Sequence, residues 1–497
     1  MQTEIDNSKS IKIRRRFGQF ATPYELATEI MSFGLILQNK KEISFLEPAF
    51  GTGAFYSALL SECNKQAKSV ERAIGIELND DFFSAAKKLW NGTNINLVNE
   101  DFTQADCFEK VNLLISNPPY VRHHYIGQEQ KTVLSNMVKR ETGLSLSGLA
   151  GLYCYFILAA HKWLAPNAIS GWLIPSEFMD VNYGGKLKEY LLNNVRLLRV
   201  HRYNPENCKF DDALVSSCVV WFRNEKVTEN YNIEFSFGGT HEKPDISRNV
   251  DRDTLEKCRK WTHFPYKTSV DEYSQSPDIP TLGDFFTIKR GLATGDNDFF
   301  ILSKEQIDEL NLDMDFFTPI LPSPRHLKCD EVFSDINGYP RLDTQYFLLR
   351  CILPENEIKE NYPSIWNYLN IGKDTTAQKY LCKNRKVWYY QENRAATPFL
   401  CSYMGRGNSE HTAPFRFILN HTNAIATNSY LMLYPKGILQ EVIVQTPGIL
   451  REVWNILSNI AANDLEREGR VYGGGLKKIE PKELSYVKCP RLAELLG

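Results

Sequence analysis

The sequence contains no C-x-x-C pair. Its 11 cysteines are scattered and odd in number, so neither a disulfide framework nor a zinc ribbon is expected, and a reducing compartment fits. No stretch approaches the roughly 20 apolar residues that a membrane span needs. The first ten residues are polar and lack a secretory signal core. Excess positive charge is also missing: 58 Lys and Arg face 60 Asp and Glu, for a net charge of −2. That excludes a uniformly basic nucleic-acid coat but not a local basic cleft, because charge distribution sets that footprint. No repeat or low-complexity tract is present. The 497 residues, 43% hydrophobic and 24% charged, read as a globular, cytoplasmic protein of two or three domains, with no membrane partner.

The first half alternates strand-like and helix-like segments. Thr22-Pro23-Tyr24-Glu25 has the form of a capping box, with Thr22 as N-cap and Pro23 at the first helical position. Leu26, Ile30, Phe33 and Leu37 follow at helical spacing. Strands are predicted at 43–46, 72–77, 95–98, 111–116, 169–174, 195–200 and 214–222, with helices over 54–60, 80–90 and 151–164. This alternation predicts an α/β fold with a mostly parallel, seven-stranded sheet covered on both faces. Around 223–280 the pattern weakens, and prolines interrupt it. The expected organisation is a first domain over 1–240, a linker over 241–280 and a second, mixed α+β domain over 281–497.

Four strand ends carry groups suited to a ligand. Glu47-Pro48-Ala49-Phe50-Gly51-Thr52-Gly53 follows the first strand. Its glycines let the backbone turn tightly and approach a ligand, at the sheet edge where ligands of open α/β sheets bind. The loop lacks the G-K-[ST] ending of a phosphate-gripping loop, and it is not G-x-G-x-x-G. Glu77 ends the second strand, where an acid can accept from ribose hydroxyls. Asp101-Phe102 follow the third strand, an acceptor beside a flat ring. Asn117-Pro118-Pro119-Tyr120 follow the fourth. The Asn117 side-chain oxygen and the Pro118 carbonyl are acceptors able to grip both N–H groups of an exocyclic amine, and the prolines offer no competing donors. Tyr120 supplies a face for stacking.

In this order, these motifs resemble the TaqI-like (gamma-class) DNA adenine-N6 methyltransferases, class I S-adenosylmethionine-dependent enzymes with a Rossmann-like domain. Gly18 to Pro23 and Phe210, before the last predicted strand, extend the resemblance. Lys289 to Phe300 and Arg470 to Lys478 resemble the start and end of the family's target-recognition domain. One departure is Phe50, bulky where a small or polar residue is usual. The resemblance implies a site-specific modification enzyme of a restriction-modification system, acting in the bacterial cytoplasm on a flipped adenine in double-stranded DNA. Thr22, Glu47, Pro48, Ala49, Gly51 and Gly53 would hold the methionine part of S-adenosylmethionine. Glu77 would hold its ribose, and Asp101 and Phe102 its adenine. Asn117 and Pro118 would grip the target amine, with Pro119 completing the catalytic motif and Tyr120 and Phe210 stacking on the base. Because one chain carries catalytic and recognition halves, a monomer is expected. Any cognate restriction endonuclease would be a separate protein without a stable complex.

Arg14-Arg15-Arg16, with Phe17 and Phe20, forms a basic, aromatic-flanked arm suited to phosphate contact, with a solvated charge run close behind as a reading. Arg122-His123-His124-Tyr125, directly after the Asn-Pro-Pro-Tyr motif, are candidates for DNA-backbone contact or closure over the flipped base, with Arg122 and His123 foremost for DNA contact. His123 and His124 are not expected to bind metal, since adjacent histidines seldom point the same way. No metal is expected elsewhere. In the second half Arg290, Arg325, His326, Lys328, Arg406, Asn420, His421, Asn423 and Asn428 are candidates for base or phosphate contacts. Lys477 and Lys478, after three glycines, are candidates for the DNA backbone.

Other readings share part of this chemistry. Cytosine-N4 methyltransferases more often carry Ser where Asn117 stands. Enzymes methylating protein glutamine or ribosomal RNA guanine generally lack an extension like 281–497. A non-catalytic DNA-specificity subunit would not need Glu77, Asn117 and Tyr120 intact. A fused N-terminal nuclease is not expected, with only about 45 residues before the first strand.

Overall fold

The computed structural model describes residues 18, 21–204, 217–227, 229–265, 279–406, 414–472 and 476–496. The expected roles of the arginines at 14–16, of Phe17, Phe20 and Phe210, and of the glycines at 473–475 fall outside them. The chain divides into two compact units, Met1–Ser274 and Gln275–Gly497.

The first unit opens with α1 (Tyr24–Leu37), β1 (Glu42–Glu47), α2 (Ala54–Lys65), β2 (Ser69–Ile76), α3 (Asp80–Leu89), β3 (Ile95–Val98) and β4 (Val111–Ser116). Next come α4 (Gln128–Thr142), α5 (Leu152–Ala159), β5 (Leu164–Pro175), α6 (Gly185–Asn193), β6 (Arg196–Arg202), β7 (Ser217–Arg223), β8 (Asn232–Phe237), β9 (Ile246–Asp251) and α7 (Arg252–Lys257). The strands form one sheet in the order β3-β2-β1-β4-β5-β7-β6-β8-β9. β3, β2, β1, β4 and β5 run parallel, and β7 is antiparallel to both β5 and β6. All seven predicted strands are present, and β8 and β9 extend the sheet. The segment 241–280, expected to be a linker, therefore carries β9 and α7 in its described part.

The continuous apolar runs of the inner strands follow from cover on both faces. Successive side chains alternate sides. Phe45 and Leu113 pack with Leu26, Ile30, Phe55 and Leu59 from α1 and α2. Their neighbours Leu46 and Leu114 pack on the opposite face with Trp163, Trp172 and Tyr153. Burying each such side chain stabilises the fold by about 1.5–3 kcal/mol. α1 comes so close to the sheet that a Cβ on Gly34 would lie 2.8 Å from Ile115 and 3.0 Å from Trp221. α3 is fixed by Asn79, whose side chain accepts from the Asp81 and Phe82 amides. Asp80 and Asp81 in its first turn and Lys87 and Lys88 in its last suit the helix dipole.

The second unit contains β10 (Phe286–Arg290), β11 (Ile301–Ser303), β12 (Phe317–Ile320), β13 (Glu331–Val332), β14 (Tyr346–Leu349), β15 (Phe399–Ser402) and β16 (Met404–Gly405). β17 (Phe417–Asn420), β18 (Tyr430–Pro435), β19 (Arg470–Tyr472) and β20 (Leu476–Lys478) follow. Three sheets result: β10-β18-β15-β17-β13, β11-β14-β12 and β16-β20-β19. Leu400, Ile418 and Met432 face one core, and Phe399, Phe417 and Leu431 face the other. No described helix of either unit is long and apolar enough to cross a membrane.

Candidate active site

The carboxyl ends of β1, β2, β3 and β4 surround a cavity of about 690 Å³, within the range of small-molecule sites. Thr22, Glu47, Pro48, Ala49, Gly51, Glu77, Asp101, Phe102, Asn117 and Pro119 all line it. Gly53 does not. It holds the loop shape instead, at φ +88° with its amide donating to the Phe50 carbonyl at 2.8 Å. Pro118 is buried behind the lining, and Tyr120 also lies off it.

Each lining group is held by local geometry. Glu47 is buried, and its Oε2 accepts from the Tyr56 amide at 3.2 Å, in the first turn of α2. Burial pushes its carboxyl well above the usual range; the Tyr56 and Phe55 amides oppose this, and the nearby Glu77 charge adds to it. Glu77 accepts from the Gly51 amide through Oε2 and from the Asn79 amide through Oε1, each at 2.8 Å. One carboxylate thus ties the loop after β1 to the turn after β2. Asp101 accepts from the Thr103 amide and hydroxyl at 2.9 and 2.7 Å, and from the Gln104 side chain at 3.1 Å. The Phe102 ring packs on Phe156, centroids 5.4 Å apart. Phe50 is accommodated by a missing side chain, since a Cβ on Gly75 of β2 would lie 2.5 Å from its ring.

Thr22 departs from its predicted role. The N-cap of α1 is Pro23, with no side-chain cap. The Thr22 hydroxyl instead accepts from Asn117 Nδ2 at 3.1 Å. That bond orients the Asn117 amide, with Oδ1 as its acceptor end. Tyr120 donates its hydroxyl to the Leu173 carbonyl of β5 at 3.0 Å, and its amide donates to the Gly18 carbonyl at 3.3 Å. Gly18, at φ +64°, touches this loop so closely that a Cβ there would lie 2.3 Å from Tyr120 N.

The lining has a one-sided charge. Glu77, Asp80, Glu100 and Asp101 contribute carboxylates, beside the Glu47 carboxyl whose charge burial disfavours, and no Lys, Arg or His lines the cavity among the described residues. Such a site disfavours phosphates and suits a ligand carrying positive charge. The apolar wall of Phe102, Ile126 and Phe156 adds a surface for a flat ring. Tyr125, read from sequence with Arg122 to His124, lines the cavity, whereas Asn79, Ile126, Gln130 and Phe156 were not singled out from sequence. Asn79 carried a signal, as an N-cap type ahead of an acidic first turn.

In the second unit the candidates converge around Tyr403. The Arg290 guanidinium lies 3.9 Å from its ring centroid and the Lys478 ammonium 5.0 Å. Arg290 also donates to the Asn428 carbonyl at 3.0 Å. β16, which runs into the exposed Arg406, pairs with β20, setting Met404 opposite Lys478 and Gly405 opposite Lys477. Both lysines have acidic partners, Glu466 for Lys477 and Glu480 for Lys478. Asn420 is corrected: it is buried, and its side chain donates to the Ala424 carbonyl at 3.0 Å and accepts from the Thr422 hydroxyl at 2.7 Å. It holds a bend and cannot reach a base. His421 pairs with Glu331 at 3.0 Å and stacks on Phe333. Arg122 is exposed, and His123 is half-buried against His124. One metal-type grouping, Glu29, His201 and His241, occurs among the described residues with donor atoms within 4.8 Å. Within it His241 Nδ1 bonds to Glu29 at 3.0 Å, and His201 Nδ1 bonds to Ser236 at 2.9 Å.

Comparison with known proteins follows the same division. Residues 22–208 match the Eco57I restriction-modification methylase family, and residues 259–496 match the family described as Type II methyltransferase M.Eco57I, C-terminal domain. Type II methyltransferase M.AccI of Acinetobacter calcoaceticus is 28% identical over 97% of this chain and 87% of its own. Type II methyltransferase M.XamI of Xanthomonas campestris pv. amaranthicola is 28% identical over 78% of this chain and 68% of its own. Among solved structures, the Type IIL restriction-modification enzyme MmeI in complex with DNA superposes with a TM-score of 0.53 at 14% identity, over 88% of this chain and 60% of that one.

Proposed function

We propose that this chain, whose residues 22–208 and 259–496 match the two Eco57I methylase models, is an S-adenosylmethionine-dependent enzyme that methylates the N6 amine of an adenine flipped out of a short motif in double-stranded DNA. The single observation that carries the reading is the 3.1 Å bond from Asn117 to Thr22 at the wall of an acid-lined cavity.

The cavity suits the cofactor. S-adenosylmethionine brings two cationic groups and an electrophilic methyl, and the carboxylate lining matches that charge. Glu77 would hold the ribose hydroxyls, Asp101 and Phe102 the adenine, and Thr22 with the Glu47–Gly53 loop the amino-acid end. The target amine is a poor nucleophile because its lone pair is delocalised into the ring. Asn117 Oδ1 and the Pro118 carbonyl accept its two N–H groups and draw the nitrogen towards tetrahedral geometry. Tyr120, its ring tethered through Leu173, stacks on the base with Phe210. Stacking returns about 1–3 kcal/mol per face against the few kcal/mol of extrusion. Orientation and aimed acceptors carry the rate, and the amine proton leaves after transfer. Arg290, Arg406, Asn428, Lys477 and Lys478, with Arg122 and His123, would hold the DNA. The chain acts as a monomer, any restriction endonuclease being separate.

Sequencing genomic DNA for modified bases, in a methylation-free bacterial host expressing the chain beside an Asn117→Ala control, tests this. N6-methyladenine at one short motif, absent from the control, is the expected result. N4-methylcytosine instead would replace adenine as the target. No modified base at all would refute the DNA reading.

A further inference from the structure

The second unit carries a basic turn apart from the cluster around Tyr403. Residues 375–391 include Lys379, Lys383, Arg385 and Lys386 and no acid, in a chain whose overall charge is −2. A solvated charge run is the ordinary reading of such a segment, but this one is anchored. Lys379 Nζ and the Thr376 hydroxyl both lie 2.6 Å from Asp296 Oδ2. Arg385 donates to the Ala293 carbonyl at 2.7 Å. Gly295, at φ +86°, lies against it so closely that a Cβ there would be 2.7 Å from Cys382 Sγ. Two of the four cations are thus committed to holding the turn.

The other two are not. Lys383 and Lys386 are exposed, and no acid among the described residues pairs with either. Between the anchors, on the helical turn Tyr380–Lys383, Tyr380 is 77% exposed. A rigid turn that presents two unpaired ammonium groups beside an uncovered aromatic ring matches a polyanion with flat faces. Resting on the DNA-methyltransferase reading above, we propose that this turn is a second DNA contact: Lys383 and Lys386 neutralise backbone phosphates, and Tyr380 packs on an exposed nucleotide face.

The test is a salt titration of duplex binding by the full chain, read by fluorescence anisotropy. Each phosphate contact contributes about −0.9 to the slope of log K against log salt, so Lys383→Ala/Lys386→Ala should make it shallower by about 1.8. Between about 50 and about 200 mM salt the double variant should then lose about 12-fold less affinity than the wild type. Lys383→Arg/Lys386→Arg should keep the wild-type slope. Tyr380→Ala should weaken binding about tenfold with the slope unchanged. A double variant with the wild-type slope overturns the proposal and leaves the methyltransferase reading standing. A wild-type chain that binds no duplex overturns both. Since all three side chains are exposed, thermal midpoints should match the wild type, separating lost contact from lost fold.

Discussion

Replacing Glu77 by Gln probes the two loops that its carboxylate joins. Both oxygens accept from backbone amides, Gly51 on one side and Asn79 on the other, each at 2.8 Å. Gln is nearly the same size but carries one acceptor oxygen and one NH₂ donor. Whichever way its amide turns, a donor faces a backbone N–H at a distance suited only to a hydrogen bond. One charge-assisted bond is lost, worth about 1.5–3 kcal/mol, and the loops must separate to relieve the donor pair. The same substitution weakens the acceptor meant for the ribose hydroxyls. S-adenosylmethionine binding should therefore fall about 10- to 100-fold, the range that energy spans. Turnover at saturating cofactor should fall much less, because Asn117 is anchored separately through Thr22. Isothermal titration calorimetry with S-adenosylmethionine measures the first quantity, and steady-state methylation of duplex DNA the second. A dissociation constant within about threefold of the wild type would refute both the bridging role and the ribose assignment, since either alone exceeds that change.

Gly18→Ala should act on the target side. Its Cβ would meet the backbone of Tyr120 and Pro119 at 2.3 to 2.9 Å, so the Asn117–Tyr120 loop must shift, and a displacement near 1 Å costs about 100-fold in turnover. A wild-type turnover number would show that the loop tolerates the change. Acid should weaken the fold through His241. Burial lowers its pKa below the ordinary 6.5, outweighing the bond to Glu29. A depressed folded value means that its stability contribution is present above pH 6.5 and is lost as pH falls through that value. The drop in thermal midpoint from about pH 7 to about pH 5 should thus be smaller in His241→Asn than in the wild type; equal drops would exclude His241 as the cause.

The strand ends of the first unit were legible because each apolar run stops at a polar or acidic residue, and a parallel sheet aligns such stops at one edge. Glu47, Glu77, Asp101 and Asn117 therefore reached one cavity as read. The reversal of β7 was not legible, since a buried antiparallel strand has the same apolar composition as a parallel one. β8 and β9 were missed because Asn232, Glu234, Arg248 and Asn249 dilute their apolar signal near the sheet edge. Thr22 matched a capping box by spacing, yet its hydroxyl serves Asn117, from a motif far along the chain. Asn420 looked like a base reader by type alone, and only burial shows it holding a bend. The departure at Phe50 is answered by Gly75, a pairing across strands that local sequence does not show.

The pairing of β1 with β4, Phe45 opposite Leu113 and Leu46 opposite Leu114, has a kinetic meaning. It joins segments separated by two helices and two strands, and contacts of such long range close late, after their loop entropy has been met. The Glu47 loop and Asn117 sit just beyond this pair, so no site exists until it has closed. A ligand recognising both ends selects the completed sheet over any partly folded form and stabilises it by mass action. Occupancy of the cavity thereby reports on the integrity of the whole first unit, and nascent or damaged chains lacking that pairing gain no protection from the cofactor pool.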